Sequence, residues 1–210
     1  MLEWGVMQAG GKSARMGTDK AWLEIEGEPM IVRGLAALAP VVRRCALVVS
    51  EGMPEMPRYE ELAAARRAAL LVDRHGFLGP LGGLQTALAA LPAESHAAVL
   101  ACDLPFVAAP LLARLAERHL AAAADLTLPE DAAGRAHPLA AIYAARCLPA
   151  IEALLAARRL RVDGLYPLVR TQRIPWDDWR ACFPREIDAR RALLNLNTPD
   201  EIAALHNLTK

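Results

Sequence analysis

Hydrophobic positions along the chain fall into short apolar runs separated by longer segments rich in Ala and Leu. Runs of four to eight apolar residues bounded by turn-forming residues read as buried strands, whereas apolar spacing of three and four reads as helix. On that basis strands are expected at 4–8, 45–50, 69–72, 97–101, 125–128, 139–143 and 171–174. Helices are expected at 30–38, 59–67, 83–91, 110–123, 148–157 and 199–206. Pro110 and Pro199 suit the first turn of a helix, where a missing N–H costs nothing, and Thr198 is placed to cap the last of them. Such alternation predicts an α/β protein with a mostly parallel central sheet between helical layers.

Composition narrows the class. The chain has 210 residues, 54% hydrophobic and 23% charged, enough to bury a full core and most simply read as one domain. Lys plus Arg and Asp plus Glu both total 24, so no net field favours nucleic acid or an anionic membrane. Cys45, Cys102, Cys147 and Cys182 form no C-x-x-C pair and no Cys/His zinc spacing, which fits reduced thiols in a cytoplasmic protein. No leader-like N-terminus and no membrane-length apolar run is present in the sequence, so a soluble location is expected.

The first strand runs directly into Gly10-Gly11 and then a basic stretch containing Lys12, Arg15 and Lys20. Consecutive glycines let backbone N–H groups converge on an anion, and the bases add charge, so the segment reads as a phosphate cradle, although the glycine pair alone favours a solvated surface loop. It has neither Walker nor G-x-G-x-x-G spacing. Asp103 follows the fourth strand and falls on the strand-end rim where open α/β sheets bind ligands. A single rim carboxylate suits magnesium, though local sequence leaves Asp103 equally open to capping a turn before Pro105. Asp73 occupies the same kind of position after the third strand and reads equally as a solvated loop residue. Gly79-Pro80-Leu81-Gly82-Gly83 precedes an apolar helix and reads as an ordinary strand-to-helix turn or as small residues that permit close approach of a base or ribose. His137-Pro138 reads as a turn, and Arg158-Arg159-Leu160-Arg161 as a charged helix end. His75, His96, His119 and His206 share no ligand spacing and, like the four Trp residues, read as packing or surface residues.

Residues 9–20 closely resemble the G-G-x-S-x-R-M-G-x-D-K signature of molybdenum cofactor guanylyltransferases, with Gly10, Gly11, Ser13, Arg15, Met16, Gly17, Asp19 and Lys20 at its fixed positions. The likeness continues in order through residues 79–83, Cys102-Asp103-Leu104-Pro105-Phe106 and Asn195-Leu196-Asn197-Thr198-Pro199-Asp200-Glu201. It implies a three-layer Rossmann-like nucleotidyltransferase fold whose N-terminal part binds GTP and whose C-terminal part binds the pterin. It further implies Gln8, Ala9, Gly10, Gly11, Lys20, Asp73, Gly79, Gly83 and Asp103 as nucleotide-binding, Lys20, Arg15 and Asp103 as catalytic, and Asp103 as the Mg2+ ligand. His137, Arg161, Asn195 and Asn197 become the pterin-side candidates.

The implied reaction moves GMP from GTP to the terminal phosphate of molybdopterin, with or without bound molybdenum, and releases pyrophosphate. GTP and molybdopterin are then the small-molecule partners, with transient contact to proteins that supply the cofactor and mature molybdoenzymes. Two positions depart from the pattern: Gln8 stands where Leu normally precedes Ala-Gly-Gly, and Ser50 ends the second strand where Asn is common. A main-chain contact to the base tolerates the first change, whereas the second removes an amide. Cytidylyl or sugar-phosphate nucleotidyl transfer on the same scaffold is the competing enzymatic reading. A non-catalytic nucleotide-binding subunit would keep the glycines without needing Asp103 and Lys20.

Overall fold

The structure, a computed structural model, describes residues 1–9, 19–74 and 78–196. Its centre is a seven-stranded sheet in the order β5-β4-β1-β6-β8-β7-β9. The strands are β1 (Leu2–Gln8), β4 (Val42–Ser50), β5 (Ala69–Asp73), β6 (His96–Ala101), β7 (Leu126–Pro129), β8 (Ala140–Ala144) and β9 (Thr171–Ile174). A separate small hairpin pairs β2 (Glu24–Ile25) with β3 (Glu28–Pro29). Four of the strand pairings in the large sheet are parallel; β8 alone runs against its neighbours β6 and β7.

Helices cover both faces, as a parallel sheet requires when each strand is apolar throughout. The helix α1 (Met30–Leu38), α2 (Met56–Arg66) and α4 (Ala109–Ala121) pack on one face with the short α6 (Trp176–Trp179) and α7 (Glu186–Ala192). On the other face lie α3 (Gly79–Ala89), α5 (Leu148–Ala156) and a 3-10 segment at Val162–Leu168. Alternation along each strand sends Met7 and Val49 to the first core and Val6 and Val48 to the second. Among the described residues no helix is long and apolar enough to cross a membrane.

Each of the seven expected strands is present, and so are five of the six expected helices; the sixth, at 199–206, lies outside the described residues. The expected helix at 83–91 begins four residues earlier, at Gly79. Pro80 explains the shift, because a proline is accommodated in a helix's first turn. Gly79 itself has φ of +64°, a backbone that a β-carbon would strain. The run Arg158–Arg161 follows α5 instead of ending it, since the helix stops at Ala156 and Arg158 turns left-handed with φ of +56°.

The chain leaves β1 to build β4 and β5 on one side and then returns to place β6 on the other. The strand order therefore reverses beside β1. In open α/β sheets this switch point, at the strands' carboxyl ends, is where ligands bind.

Candidate active site

A cavity of about 440 Å³ opens at that point, lined by the ends of β1, β4, β5 and β6 together with Lys20 and the first turn of α3. Gln8, Ala9, Lys20, Asp73, Gly79, Gly83 and Asp103 all line it, bringing together seven residues that are scattered over the chain. Gly10, Gly11, Arg15 and Asn197 lie outside the described residues.

Asp103 is held by its own backbone. Cys102 N–H donates to the Gln8 carbonyl across 3.0 Å, Leu196 N–H donates to the Asp103 carbonyl across 2.9 Å, and Arg33 reaches the Pro105 carbonyl at 3.3 Å. Its carboxylate stands 3.8 Å from Lys20 Nζ, and both side chains are about four-fifths buried, at 20% and 19% exposure. Burial pushes the Asp103 carboxyl above its usual range, while Lys20 and then the Asn195 side chain pull it back. Oδ1 of Asp103 is buried and has no hydrogen-bond partner. The orphaned carboxylate oxygen of Asp103 on the cavity wall suits a hard divalent cation that keeps water and phosphate as its other ligands. Among the described residues no group of three His, Cys, Asp or Glu is placed to hold a metal ion.

Lys20 is positioned by a 3-10 turn over Lys20–Trp22 that Asp19 caps, its Oδ1 accepting from Ala21 N–H at 3.1 Å. The other oxygen of Asp19 accepts from the buried Tyr59 hydroxyl on α2. Sequence reading missed Tyr59 because it lies 40 residues from Asp19 and looks like any helix residue that packs inward. On the opposite wall, α3 begins without a side-chain cap, and its first two turns contribute Gly79, Pro80 and Gly83 to the cavity. The amides of a first turn favour an anionic or polar ligand group. Asp73 accepts from Thr86 of the same helix at 3.3 Å. Burial, reinforced by Asp103, pushes the Cys102 thiol up, so it stays protonated at the cavity wall.

A second, wider cleft shares Pro80, Leu139 and Leu160 with the first. Arg135, Arg161 and Arg173 give it a cationic lining, and Tyr166 a flat aromatic one. Arg161 is therefore placed there, ion-paired at 2.6 Å with Asp163. His137 is not among the lining residues; its Nε2 meets Asp131 Oδ2 at 3.0 Å while its neighbours Ala136 and Pro138 face the cleft. Asn195, expected on the pterin side, sits beside Asp103. Arg135, Arg173 and Tyr166 were not foreseen, because no local motif marks residues gathered from three separate loops and strands.

The four cysteines are free. His96 and His119 are satisfied packing residues: their rings meet edge to face and share a 2.8 Å hydrogen bond, and His119 also meets Thr127.

Comparison with known proteins bears on the fold and the family. A probable molybdenum cofactor guanylyltransferase of Pelotomaculum thermopropionicum is 33% identical over 94% of this chain and 89% of its own length. Another, from Chloroflexus aggregans, is 30% identical over 96% of this chain and 92% of its own. The crystal structure of molybdopterin-guanine dinucleotide biosynthesis protein A from Archaeoglobus fulgidus superposes with a TM-score of 0.76 at 22% identity, covering 98% of both chains. A 4-diphosphocytidyl-2C-methyl-D-erythritol synthase from Anaerococcus prevotii shares the fold, with a TM-score of 0.70 at 12% identity, over 100% of this chain and 96% of its own. Residues 5–168 match the MobA-like NTP transferase domain, and the chain belongs to that family of nucleotidyltransferases, within the group named molybdenum cofactor guanylyltransferases.

Proposed function

We propose that this enzyme transfers GMP from GTP to the terminal phosphate of molybdopterin, free or carrying molybdenum, with release of pyrophosphate. The observation that carries the reading is the juxtaposition of Lys20 with the buried, half-orphaned carboxylate of Asp103 at the mouth of a nucleotide-sized cavity. The cavity of β1, β4, β5 and α3 holds GTP, with Ala9, Asp73, Gly79 and Gly83 along its base and ribose. The adjoining cleft holds the pterin, its arginines Arg135, Arg161 and Arg173 offsetting the charge of a phosphorylated acceptor.

The terminal phosphate of the acceptor attacks the α-phosphorus of GTP, and the bond to the bridging oxygen of pyrophosphate breaks. A phosphate monoester with its second pKa at about 6 is already largely dianionic at neutral pH and requires no general base. A protonated Cys102 is no nucleophile, which suits direct transfer without a covalent intermediate. What the protein supplies is alignment and charge. Lys20 and Arg15 neutralise the triphosphate. Nucleotidyltransferases of this kind generally use a divalent metal; here Asp103 would hold Mg2+, which supplies charge stabilisation at the α-phosphate.

Pyrophosphate release measured with molybdopterin and each of GTP, CTP, ATP and UTP, with and without Mg2+, tests donor, acceptor and metal together. Turnover with GTP alone, dependent on both molybdopterin and Mg2+, is expected. Preferential use of CTP would replace this reading with cytidylyl transfer.

A further inference from the structure

Gln8 closes β1 with only 8% of its surface exposed, and its carboxamide Nε2 is buried without a hydrogen-bond partner. It lines the nucleotide cavity from the face covered by α3. Side chains two apart on a strand share a face. Val6, Val48 and Leu71 all pack in the core beneath α3, and the residues two further on are Gln8, Ser50 and Asp73. Three adjacent strands therefore switch together from apolar to buried polar side chains, at 8%, 5% and 5% exposure, where the core meets the cavity. The helix above makes room for the first of them: a β-carbon on Gly83 would lie 3.2 Å from Gln8 Cδ and Oε1.

A buried amide N–H without a partner destabilises the empty protein, so its retention there calls for a ligand acceptor. Lys20 and Asp103 carry the charge suited to phosphate and cation, while Gln8 is neutral and rests against Val48 on the neighbouring strand and Gly83. That environment suits an uncharged, flat, hydrogen-bonding group. We propose that the Gln8 side chain is a specificity determinant that reads the nucleobase, Nε2 donating to the C6 carbonyl oxygen of guanine. An adenine would set its amino group against the same donor. The chain thereby places at the end of β1 the amide that Ser50 lacks at the end of β4. This assignment rests on guanylyl transfer as the reaction.

The test compares wild type, Gln8→Leu and Gln8→Met with GTP, inosine triphosphate and 2-aminopurine riboside triphosphate. The last lacks the C6 oxygen; inosine triphosphate keeps it and lacks the 2-amino group. Nucleotide affinity is measured by calorimetry without acceptor, alongside kcat/KM with it. Wild type should favour GTP over the 2-aminopurine nucleotide by about tenfold, and both variants should lose most of that preference while keeping the wild-type ratio of GTP to inosine triphosphate. Melting temperatures without nucleotide should stay level or rise, because the orphan donor is gone, a result that a purely structural Gln8 would not give. Unchanged GTP preference over the 2-aminopurine nucleotide in the variants overturns the assignment; should Gln8→Leu fail to fold, the near-isosteric Gln8→Met decides. A wild type that binds GTP without transferring guanylyl overturns the reaction, and the binding ratios still decide Gln8.

Discussion

The Tyr59 hydroxyl lies 2.5 Å from Asp19 Oδ2 and 3.3 Å from the carbonyl oxygen of Ala9, so a single side chain on α2 touches residues on both sides of segment 10–18. Tyr59 is fully buried, and burial followed by the neighbouring Asp19 pushes its phenol far above the usual value, so it remains a donor at every working pH. Asp19 in turn caps the turn that presents Lys20. Tyr59→Phe keeps the ring against Trp22, 5.2 Å away, and removes the donor alone. A hydrogen bond to a charged group contributes about 1.5–3 kcal/mol. The variant should lose several degrees of melting temperature and show a larger proportional rise in KM for GTP than fall in kcat. A wild-type KM in a folded variant would show that Lys20 needs no such support.

Lys20→Ala removes the ammonium 3.8 Å from Asp103. Loss of a preorganised charge on a transferring phosphate costs about 3–4 kcal/mol of transition-state stabilisation, or a drop in kcat of a hundredfold or more. The fold should survive, because the residue is partly exposed and the 3-10 turn is held by Asp19 and not by Lys20. Steady-state kinetics with a circular dichroism check would test this, and turnover within threefold of wild type would remove Lys20 from the chemistry.

Asp103→Asn keeps the shape of the side chain and removes its charge. Since burial disfavours the ionised carboxylate more than Lys20 favours it, the amide should leave the empty protein no less stable at neutral pH. Stimulation of turnover by Mg2+ should vanish. A marked fall in melting temperature would mean that Asp103 serves the fold, and retained Mg2+ stimulation would place the cation elsewhere.

Gly83→Ala separates packing from propensity. Alanine within α3 favours the helix by about 1 kcal/mol, whereas its β-carbon pushes on Gln8. The expected result is unchanged or improved stability with a raised KM for GTP. Combined with Gln8→Leu, the effect on KM should be less than the sum of the two, because the substitutions act on one contact. Strict additivity would dissociate Gly83 from Gln8.

Legibility in the sequence follows the range of the interactions. The strands ending in Gln8, Ser50, Asp73 and Ala101 were readable because an apolar run followed by a turn is a local signal. Gly79 and Gly83 were readable because close approach and positive φ favour glycine. Tyr59 was not, since nothing near it in the chain marks a partner 40 residues away. The cationic cleft was equally hidden: Arg135, Arg161 and Arg173 meet only once β7, β8 and β9 have paired. The hairpin of β2 and β3, two residues a strand, is too short to carry a period.

Far from the cavity, at the amino end of β6, the buried His119 ring lies between His96 Nδ1, at 2.8 Å, and Thr127 Oγ1, at 3.0 Å. Burial, then His96 and Arg146, lower its pKa from 6.5 to about 4, with Asp125 acting in the opposite sense. His96 is lowered as well, by burial and then Arg146, against Glu94 and Asp125. A histidine held neutral in the fold binds a proton more readily once unfolded, so its contribution is complete above pH 6.5 and is lost as pH falls toward 4. At 1.36 kcal/mol per pH unit, His119 alone accounts for on the order of 3 kcal/mol of lost stability across that window. Urea denaturation at a series of pH values between 7 and 4 should show the decline for wild type, and a shallower one for His119→Gln, which cannot take up the proton. Guanylyl transfer at pH 7 should differ little between the two, because this end of β6 is the one opposite Asp103. Parallel stability curves for the two proteins would assign the acid sensitivity to other groups.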